Sequence, residues 1–200
     1  GSLVGVQSEH DVTLVTTSAT ASFANKNVGD GKTVTVLGLT LGGADAGSYM
    51  IGESHTTTAN ITALDLTLTN FTAEDKVYDG TTDVITSGFD DDRVLGDDLE
   101  FNYVAAFASA NVDVDIQVNF SSITISGGAD TNNYTLITTE GVSTASITTR
   151  EVTITPTPGQ TKIYGEDDPV FTFTESNLIS GDTYTGTLSR GVGNIVGNYA

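Results

Sequence analysis

The sequence ASFANKNV at residues 21–28 returns as AAFASANV at residues 105–112, 84 positions further along the chain. The motif GGAD, followed by a tyrosine, behaves in the same way: it occupies residues 42–49 and returns at residues 127–134. A pattern that recurs at a fixed spacing indicates tandem structural units, and a spacing of about 85 residues suits a small domain. We therefore expect an array of similar modules.

A third motif carries the repeat toward the end of the chain. KVYDG at residues 76–80 is matched by KIYG at residues 162–165. Together, the motifs divide the chain into an incomplete repeat, a complete repeat and a second incomplete repeat, at residues 1–64, 65–149 and 150–200. We expect the chain to be an excised piece of a longer protein, beginning and ending inside repeats.

Short runs of alternating apolar and polar residues predict the fold class. Apolar residues alternate with Thr, Asn or Ser between Gly, Asn and Asp, which is typical of strands and turns, and no segment has a helical stripe. The complete repeat contains six or seven such runs, marked by Leu66/Leu68, Val84, Leu99/Phe101/Tyr103, Val118/Phe120, Ile123/Ile125, Tyr134/Leu136 and Ile147. The prediction is an all-β or β-dominated chain of small antiparallel modules, sandwich-like or grasp-like, arranged end to end.

The alternation changes phase at equivalent places in the first two repeats. The change falls between Val36 and Leu39 in the first repeat and between Phe120 and Ile123 in the second. A change of phase on a half-buried strand predicts a bulge or a bend. The run Asp30-Gly31-Lys32, in contrast, is interpreted as a turn.

Charge and cysteine content exclude several classes of partner. The chain has 26 acidic and 7 basic residues, a formal charge of −19, and no cysteine. Such a surface repels phosphate backbones and anionic lipid headgroups, so neither nucleic-acid binding nor membrane-surface binding is expected. No window approaches the roughly 18 apolar residues of a membrane span, so membrane insertion is not expected either. Without cysteine there can be no disulfide and no thiolate metal site.

The motifs resemble two known families of surface repeat. KVYDGTT at residues 76–82, followed by Phe107, by Asn111-Val112 and by GAD before Tyr134, resembles the YDG repeat of large bacterial surface proteins. KIYGEDDP at residues 162–169, with GTLSR and VGNYA further on, resembles the MBG repeat of the Tyr-Gly type.

That resemblance implies a location and a context. Such modules form long arrays in haemagglutinin-like adhesins of Gram-negative cell surfaces, so it implies an extracellular, cell-surface protein with no catalytic residue. The partners it implies are the neighbouring repeats of the same chain. The third segment has Gly165 where the second has Asp79, so the modules need not make the same contacts.

Two interpretations of the YDG motif stand side by side. Tyr78 and Asp79 place an aromatic face beside a carboxylate, which is a candidate site for a ligand such as a surface glycan or protein. Asp-Gly is also a strong turn signal, because glycine accepts a positive φ and aspartate bonds the backbone that follows it. In that interpretation Tyr78 ends a strand with its ring turned inward.

Acidic clusters are the candidate metal sites, and calcium is the cation they suit, because it binds six to eight oxygen ligands. None of the clusters fits the EF-hand loop, so solvated acidic loops are the competing interpretation. No other cofactor is expected. The candidates are Asp90, Asp91, Asp92, Asp97, Asp98, Asp113, Asp115, Glu166, Asp167 and Asp168.

The leading functional hypothesis is a non-catalytic spacer or stalk that projects a distal domain. The alternative is an adhesive module that binds glycan or protein, and a carbohydrate-active enzyme is a remote third. His10 and His55 lie in polar stretches without a nucleophile motif, so neither a triad nor a histidine metal site is expected.

The junctions between repeats are expected to be short and stiff, at Thr62–Leu66 and Thr148–Val152, because neither carries a Gly, Pro or Ser tract. Strands left unpaired where the chain was cut are expected to permit an edge-strand or swapped dimer.

Overall fold

The computed structural model describes residues 3–52, 55–193 and 195–198 of the 200-residue chain. Strands account for 45% of the residues and helix for 3%, which confirms the prediction of an all-β chain. Tyr199 and Ala200, which belong to the last sequence motif, lie outside the described residues. The strands are β1 (Thr13–Val15), β2 (Thr20–Phe23), β3 (Gly29–Leu37), β4 (Thr40–Gly42), β5 (Thr56–Ile61), β6 (Leu64–Leu66), β7 (Leu68–Ala73), β8 (Lys76–Val77), β9 (Thr86–Asp91), β10 (Glu100–Phe107), β11 (Asp113–Gly127), β12 (Tyr134–Leu136), β13 (Gly141–Thr148), β14 (Thr153–Pro156) and β15 (Phe173–Ser176).

Antiparallel pairing predominates. The larger sheets have the strand orders β2-β3-β5 and β10-β11-β13-β8, and β1-β4, β7-β9 and β14-β15 form two-stranded sheets. Two pairings among the described strands are parallel: β6 lies beside β12, and β8 lies beside β13. Both parallel pairs join strands that are about 70 residues apart in sequence, well beyond the dozen or so residues that a parallel crossover needs.

The chain folds into two compact units. The first contains residues 1–68, 91–102 and 123–139. Its best-buried cluster is formed by Leu66, Leu99 and Tyr134, whose exposed fractions are 0%, 7% and 8%. Phe101, Ile125 and Leu136 pack against this cluster from partly buried positions. The core of this unit therefore forms where β6 lies beside β12.

The second unit contains residues 69–90, 103–122 and 140–200. Four aromatic rings pack together around the buried Phe120, whose centroid lies 5.0 Å from that of Phe71 and 5.7 Å from that of Tyr103. Phe89 completes the group. Gly141 lies against this stack so closely that a Cβ there would stand 2.4 Å from the ring of Phe71. Any larger residue at this position would force the Phe71 ring to shift.

Two features of the backbone recur in consecutive repeats. Gly38 (φ +76°) and Ser122 (φ +54°) both adopt left-handed conformations at the points where the alternation changes phase, which confirms the predicted bend. Gly31 and Asp115 are also left-handed, and each lies inside a register shift of its strand, β3 or β11. The interpretation of residues 30–32 as a turn is therefore wrong: they form a bulge within β3.

Of the remaining sequence predictions, the strand at Val84 is wrong and the short junctions are confirmed. Val84 lies outside the described strands, two residues before β9 begins at Thr86. The junctions are short, as expected: β6 begins three residues after β5 ends, and β14 begins five residues after β13 ends. The repeat boundaries themselves remain predictions, since the compact units divide residues 65–149 between them.

Candidate functional site

The GGAD motif of the second repeat builds a reciprocal hydrogen-bonded pair that we call the second clasp, formed by Asp98 and Asp130. The Asp98 amide donates to the Asp130 carboxylate at 3.1 Å, and the Asp130 amide donates to the Asp98 carbonyl at 3.2 Å. The Asp98 carboxylate in turn accepts from the Ala129 amide. Gly128 brings the two segments together, since a Cβ there would stand 2.2 Å from the Asp98 carbonyl oxygen.

Tyr134 forms two hydrogen bonds beside the second clasp. Its hydroxyl accepts from the Val94 amide at 2.9 Å and donates to Asp97 at 2.7 Å. The ring is buried, and this burial, followed by the bond to Asp97, raises the pKa of the Tyr134 hydroxyl. The tyrosine of the sequence motif is therefore a structural cross-brace.

The first repeat builds the same arrangement, the first clasp, from Asp11 and Asp45. The Asp11 amide donates to the Asp45 carboxylate at 2.8 Å, and the Asp45 amide donates to the Asp11 carbonyl at 3.0 Å. The hydroxyl of Tyr49 accepts from the Gln7 amide and lies 2.7 Å from the Nδ1 atom of His10. His10 thus takes the place that Asp97 has in the second clasp.

A lysine from the first repeat docks on the second clasp. The Nζ atom of Lys26 pairs with Asp97 and lies 2.8 Å from the Asp130 carboxylate. These hydrogen bonds raise the pKa of Lys26, Asp130 contributing more than Asp97, and Lys26 lowers the pKa of both carboxyl groups. Two residues along, the Val28 amide donates to the side-chain oxygen of Asn133 at 3.0 Å.

The YDG motif of residues 78–80 forms a turn. The Asp79 carboxylate accepts from the Thr81 amide at 2.9 Å and from Lys76 at 2.7 Å, and Gly80 has φ +78°. These bonds, that of Lys76 first, lower the pKa of Asp79 to about 2. Asp79 and Gly80 therefore form the predicted turn, and residues on either side of the motif bond one oxygen of the Asp79 carboxylate.

Tyr78 lines an open hollow of about 260 Å³ in the second unit. Its hydroxyl donates to Asp182 at 3.4 Å, and burial raises its pKa first, followed by the charge of Asp182. Arg150 lies in the same lining and donates to the Asn177 carbonyl at 2.8 Å. The hollow combines a largely apolar lining with an aromatic ring, a guanidinium and a carboxylate, which suits a small ligand that has both apolar and polar groups.

The predicted calcium ligands lie in several separate places. Asp91 pairs with Arg93, and Asp168 pairs with Lys162 and Arg190. Within residues 3–52, 55–193 and 195–198, no group of three or more His, Asp or Glu side chains is placed to hold a metal ion.

The remaining candidates have local roles or lie at the surface. Asp90 accepts from Asn70, Asp92 accepts from the Thr67 amide, and Asp113 accepts from the Val114 amide. Asp115 is the left-handed residue of the bulge in β11. Glu166 and Asp167 are exposed.

Sequence reasoning missed Lys26 and the partners of the two tyrosines. The second copy has Ala110 at the corresponding position, so the repeat itself does not single the lysine out. One signal was available: Asp11 and Asp98 each lie about 32 to 34 residues before the aspartate of a GGAD motif. The spacing relates the two halves of each clasp, although the residues around Asp11 and Asp98 share little else.

Two family models match the chain. The YDG domain matches residues 1–59 and again residues 62–144, and the MBG domain (YGX type) matches residues 152–200. No match was found among curated proteins or among solved structures. The two YDG matches together span more than half of the chain, and each contains one clasp and its tyrosine. The chain therefore belongs to the YDG domain family.

Proposed function

We propose that this chain is a non-catalytic segment of a bacterial cell-surface adhesin and acts as a spacer that holds a distal domain away from the cell. The observation that carries the proposal is the docking of Lys26 on Asp97 and Asp130. One YDG match contributes the lysine and the next contributes the carboxylates, so consecutive repeats are joined by side chains as well as by the chain. Contact between neighbours is what stabilises and stiffens a repeat array.

The use of basic residues supports a spacer. Five of the seven form ion pairs with aspartates, and the other two, Lys32 and Arg150, are hydrogen-bonded within the chain. The charge left over is acidic. Such a surface stays hydrated and repels its own copies, which favours extended, separate arrays on a crowded cell surface.

The non-catalytic part of the proposal rests on the state of the polar groups. His10 is bonded to Tyr49, and Asp79 is held by Lys76 and Thr81. A general base needs a free lone pair facing a substrate, and a glycosidase needs two carboxyl groups at a defined separation across a cleft. The Nδ1 atom of His10 and the Oδ1 atom of Asp79 are engaged in bonds that hold the fold.

A second candidate function is an adhesive module, and the hollow beside Tyr78 is the observation that favours it. An aromatic ring beside a guanidinium and a carboxylate is a common arrangement for recognising a glycan hydroxyl or a peptide group. The hollow lies at the Tyr78 of the YDG motif, where the sequence analysis placed a candidate ligand site.

One experiment separates the two. The labelled 200-residue chain is applied to a glycan array and to whole host cells, with and without calcium, beside an unrelated acidic β protein. A spacer gives no signal above that control. Saturable binding that is lost in both Tyr78→Ala and Arg150→Ala would replace the spacer proposal with the adhesive one. Binding that depends on calcium would indicate a cation site in the acidic loops.

A further inference from the structure

The two clasps differ in what covers them. In the second, Leu66 of β6 is fully buried beside Leu99 and Tyr134, and Lys26 pairs with the carboxylates. In the first, Asp45 and Tyr49 are partly exposed, whereas their counterparts Asp130 and Tyr134 are 9% and 8% exposed. Equivalent residues with the same hydrogen bonds thus differ in burial.

The apolar positions around the first clasp show the same contrast. Val12 and Tyr49 are partly exposed. Their counterparts in the second repeat, Leu99 and Tyr134, are buried and enclose Leu66. Met50 is 92% exposed, and its counterpart Thr135, the central residue of β12, is exposed as well, so the contrast lies at Val12 and Tyr49. Tyr49 has an extended backbone conformation, and residues 49–52 lie outside the strands of the described chain, whereas β12 is paired with β6.

The geometry points to a docking surface. We propose that the face formed by Val12, Tyr49 and Gly52 binds an extended strand with alternating leucines, of the kind that residues 62–68 provide, from another YDG repeat. The occupant is identified by the second repeat, where that strand lies parallel to β12 with Tyr134 opposite Leu64 and Leu136 opposite Leu66. Addition of a strand to an open edge supplies main-chain hydrogen bonds for affinity and a side-chain pocket for specificity.

One main-chain bond can be transferred directly. In the second repeat the Ile137 amide donates to the Leu66 carbonyl at 2.9 Å. Ile137 lies three residues after Tyr134, and Gly52 lies three residues after Tyr49. Gly52 is exposed, no atom lies within 4 Å of the point that a Cβ would occupy, and its φ is not positive, so both alanine and proline can be tested there. The Gly52 amide is the donor that the incoming strand meets.

The probe is a fluorescein-labelled peptide with the sequence of residues 62–68, TALDLTL, titrated against the full 200-residue chain by fluorescence anisotropy. We expect saturable binding. A peptide with Leu66→Asp should bind at least about tenfold more weakly, because the buried leucine is the anchor. In the chain, Gly52→Pro should weaken binding about fivefold by removing one donor, and Gly52→Ala, which keeps it, should not.

Two results of the peptide titration would overturn the docking surface. Absence of saturable binding overturns the inference. Binding that is unaffected by Gly52→Pro places the peptide elsewhere, for instance on the second repeat after displacement of β6, and overturns it too. The docking surface is independent of the spacer proposal: strand binding with glycan binding removes the spacer and keeps the docking surface, whereas loss of strand binding alone leaves the spacer in place.

Discussion

The Nζ atom of Lys26 lies 2.8 Å from the carboxylate of Asp130, 104 residues further along the chain. The lysine is 62% exposed, while the side chains of Asp97 and Asp130 are 9% and 12% exposed. One flexible cation thus covers two carboxylates that the fold has already partly buried. Removal of the lysine leaves both carboxylates without a counter-charge. Since Lys26 lies in one YDG repeat and the two aspartates lie in the next, this ion pair joins consecutive repeats.

Replacing Lys26 by alanine should destabilise the second clasp. We expect a lower urea midpoint and faster hydrogen exchange at the Asp97 and Asp98 amides, because two like charges then face each other without compensation. Lys32→Ala is the matched control, since Lys32 bonds Asn25 and the Asn27 carbonyl rather than a carboxylate. Equal exchange rates in the two variants would show that Lys26 does not hold the joint. Added salt should reduce the difference.

The Asp79 turn predicts a titration. Its pKa of about 2 lies below the ordinary value of 3.8, so the folded chain binds this proton less readily than the unfolded chain does. The carboxylate therefore stabilises the fold above pH 4, and that contribution disappears as the pH falls toward 2. Carbon-13 NMR of the Asp79 carboxyl should give a midpoint near 2, and Lys76→Met should raise it toward 3.8. In Lys32→Met the midpoint should stay low, and a midpoint near 3.8 in the unsubstituted chain would contradict the turn geometry.

The sequence predicted features whose causes are local. The bend at Gly38 and Ser122 was visible because alternation along a single strand changes phase there, and the Asp79 turn was visible because Asp-Gly carries its own hydrogen-bonding partner. Short junctions followed from the residues that occupy them. Each of these depends on neighbours within a few positions, which is the range that pattern reasoning covers.

The features that were missed depend on distant contacts or on residues that lack a distinctive preference. Lys26 has 26 acidic residues to choose from, so its partners cannot be read from charge alone. Residues 30–32 carry a turn signature, yet they form a bulge because β5 continues alongside β3 on both sides of it. The parallel pairing of β6 with β12 brings together short segments 70 residues apart, and nothing in either segment specifies the other.

Among the core residues of the first unit, Leu66 is expected to lower the free energy of unfolding most when it is truncated. Its exposed fraction is 0%, and truncation to alanine should lower the free energy of unfolding by about 3 kcal/mol through lost burial and a residual cavity. Leu64, two residues earlier on the same strand, is 48% exposed, and Leu64→Ala should cost less than about 1 kcal/mol. Urea unfolding of both variants checks this. Similar losses would mean that β6 does not turn one face inward against Leu99 and Tyr134.

Gly128 tests how closely the segments of the second clasp approach each other. It has φ +103°, and so does Gly181, which has no atom within 4 Å of where a Cβ would lie. Alanine at either position must bear the backbone strain, about 1 to 3 kcal/mol. At Gly128 the new Cβ would also stand 2.2 Å from the Asp98 carbonyl oxygen, which is backbone and cannot rotate away. Gly128→Ala should therefore cost clearly more than Gly181→Ala.

The difference between the two alanine variants isolates the clasp, because the φ angle is the same in both. Gly43 of the first clasp has a Cβ position 2.3 Å from the Asp11 carbonyl oxygen, so Gly43→Ala should behave like Gly128→Ala. Hydrogen exchange at the Asp45 and Asp130 amides, each of which donates to the carbonyl in question, reports the local opening free energy of each repeat separately. If all three variants lost the same stability, the close approach would be absent and the two repeats would not share this architecture. If Gly43→Ala opened only the first clasp and Gly128→Ala only the second, each YDG repeat would close independently of the other.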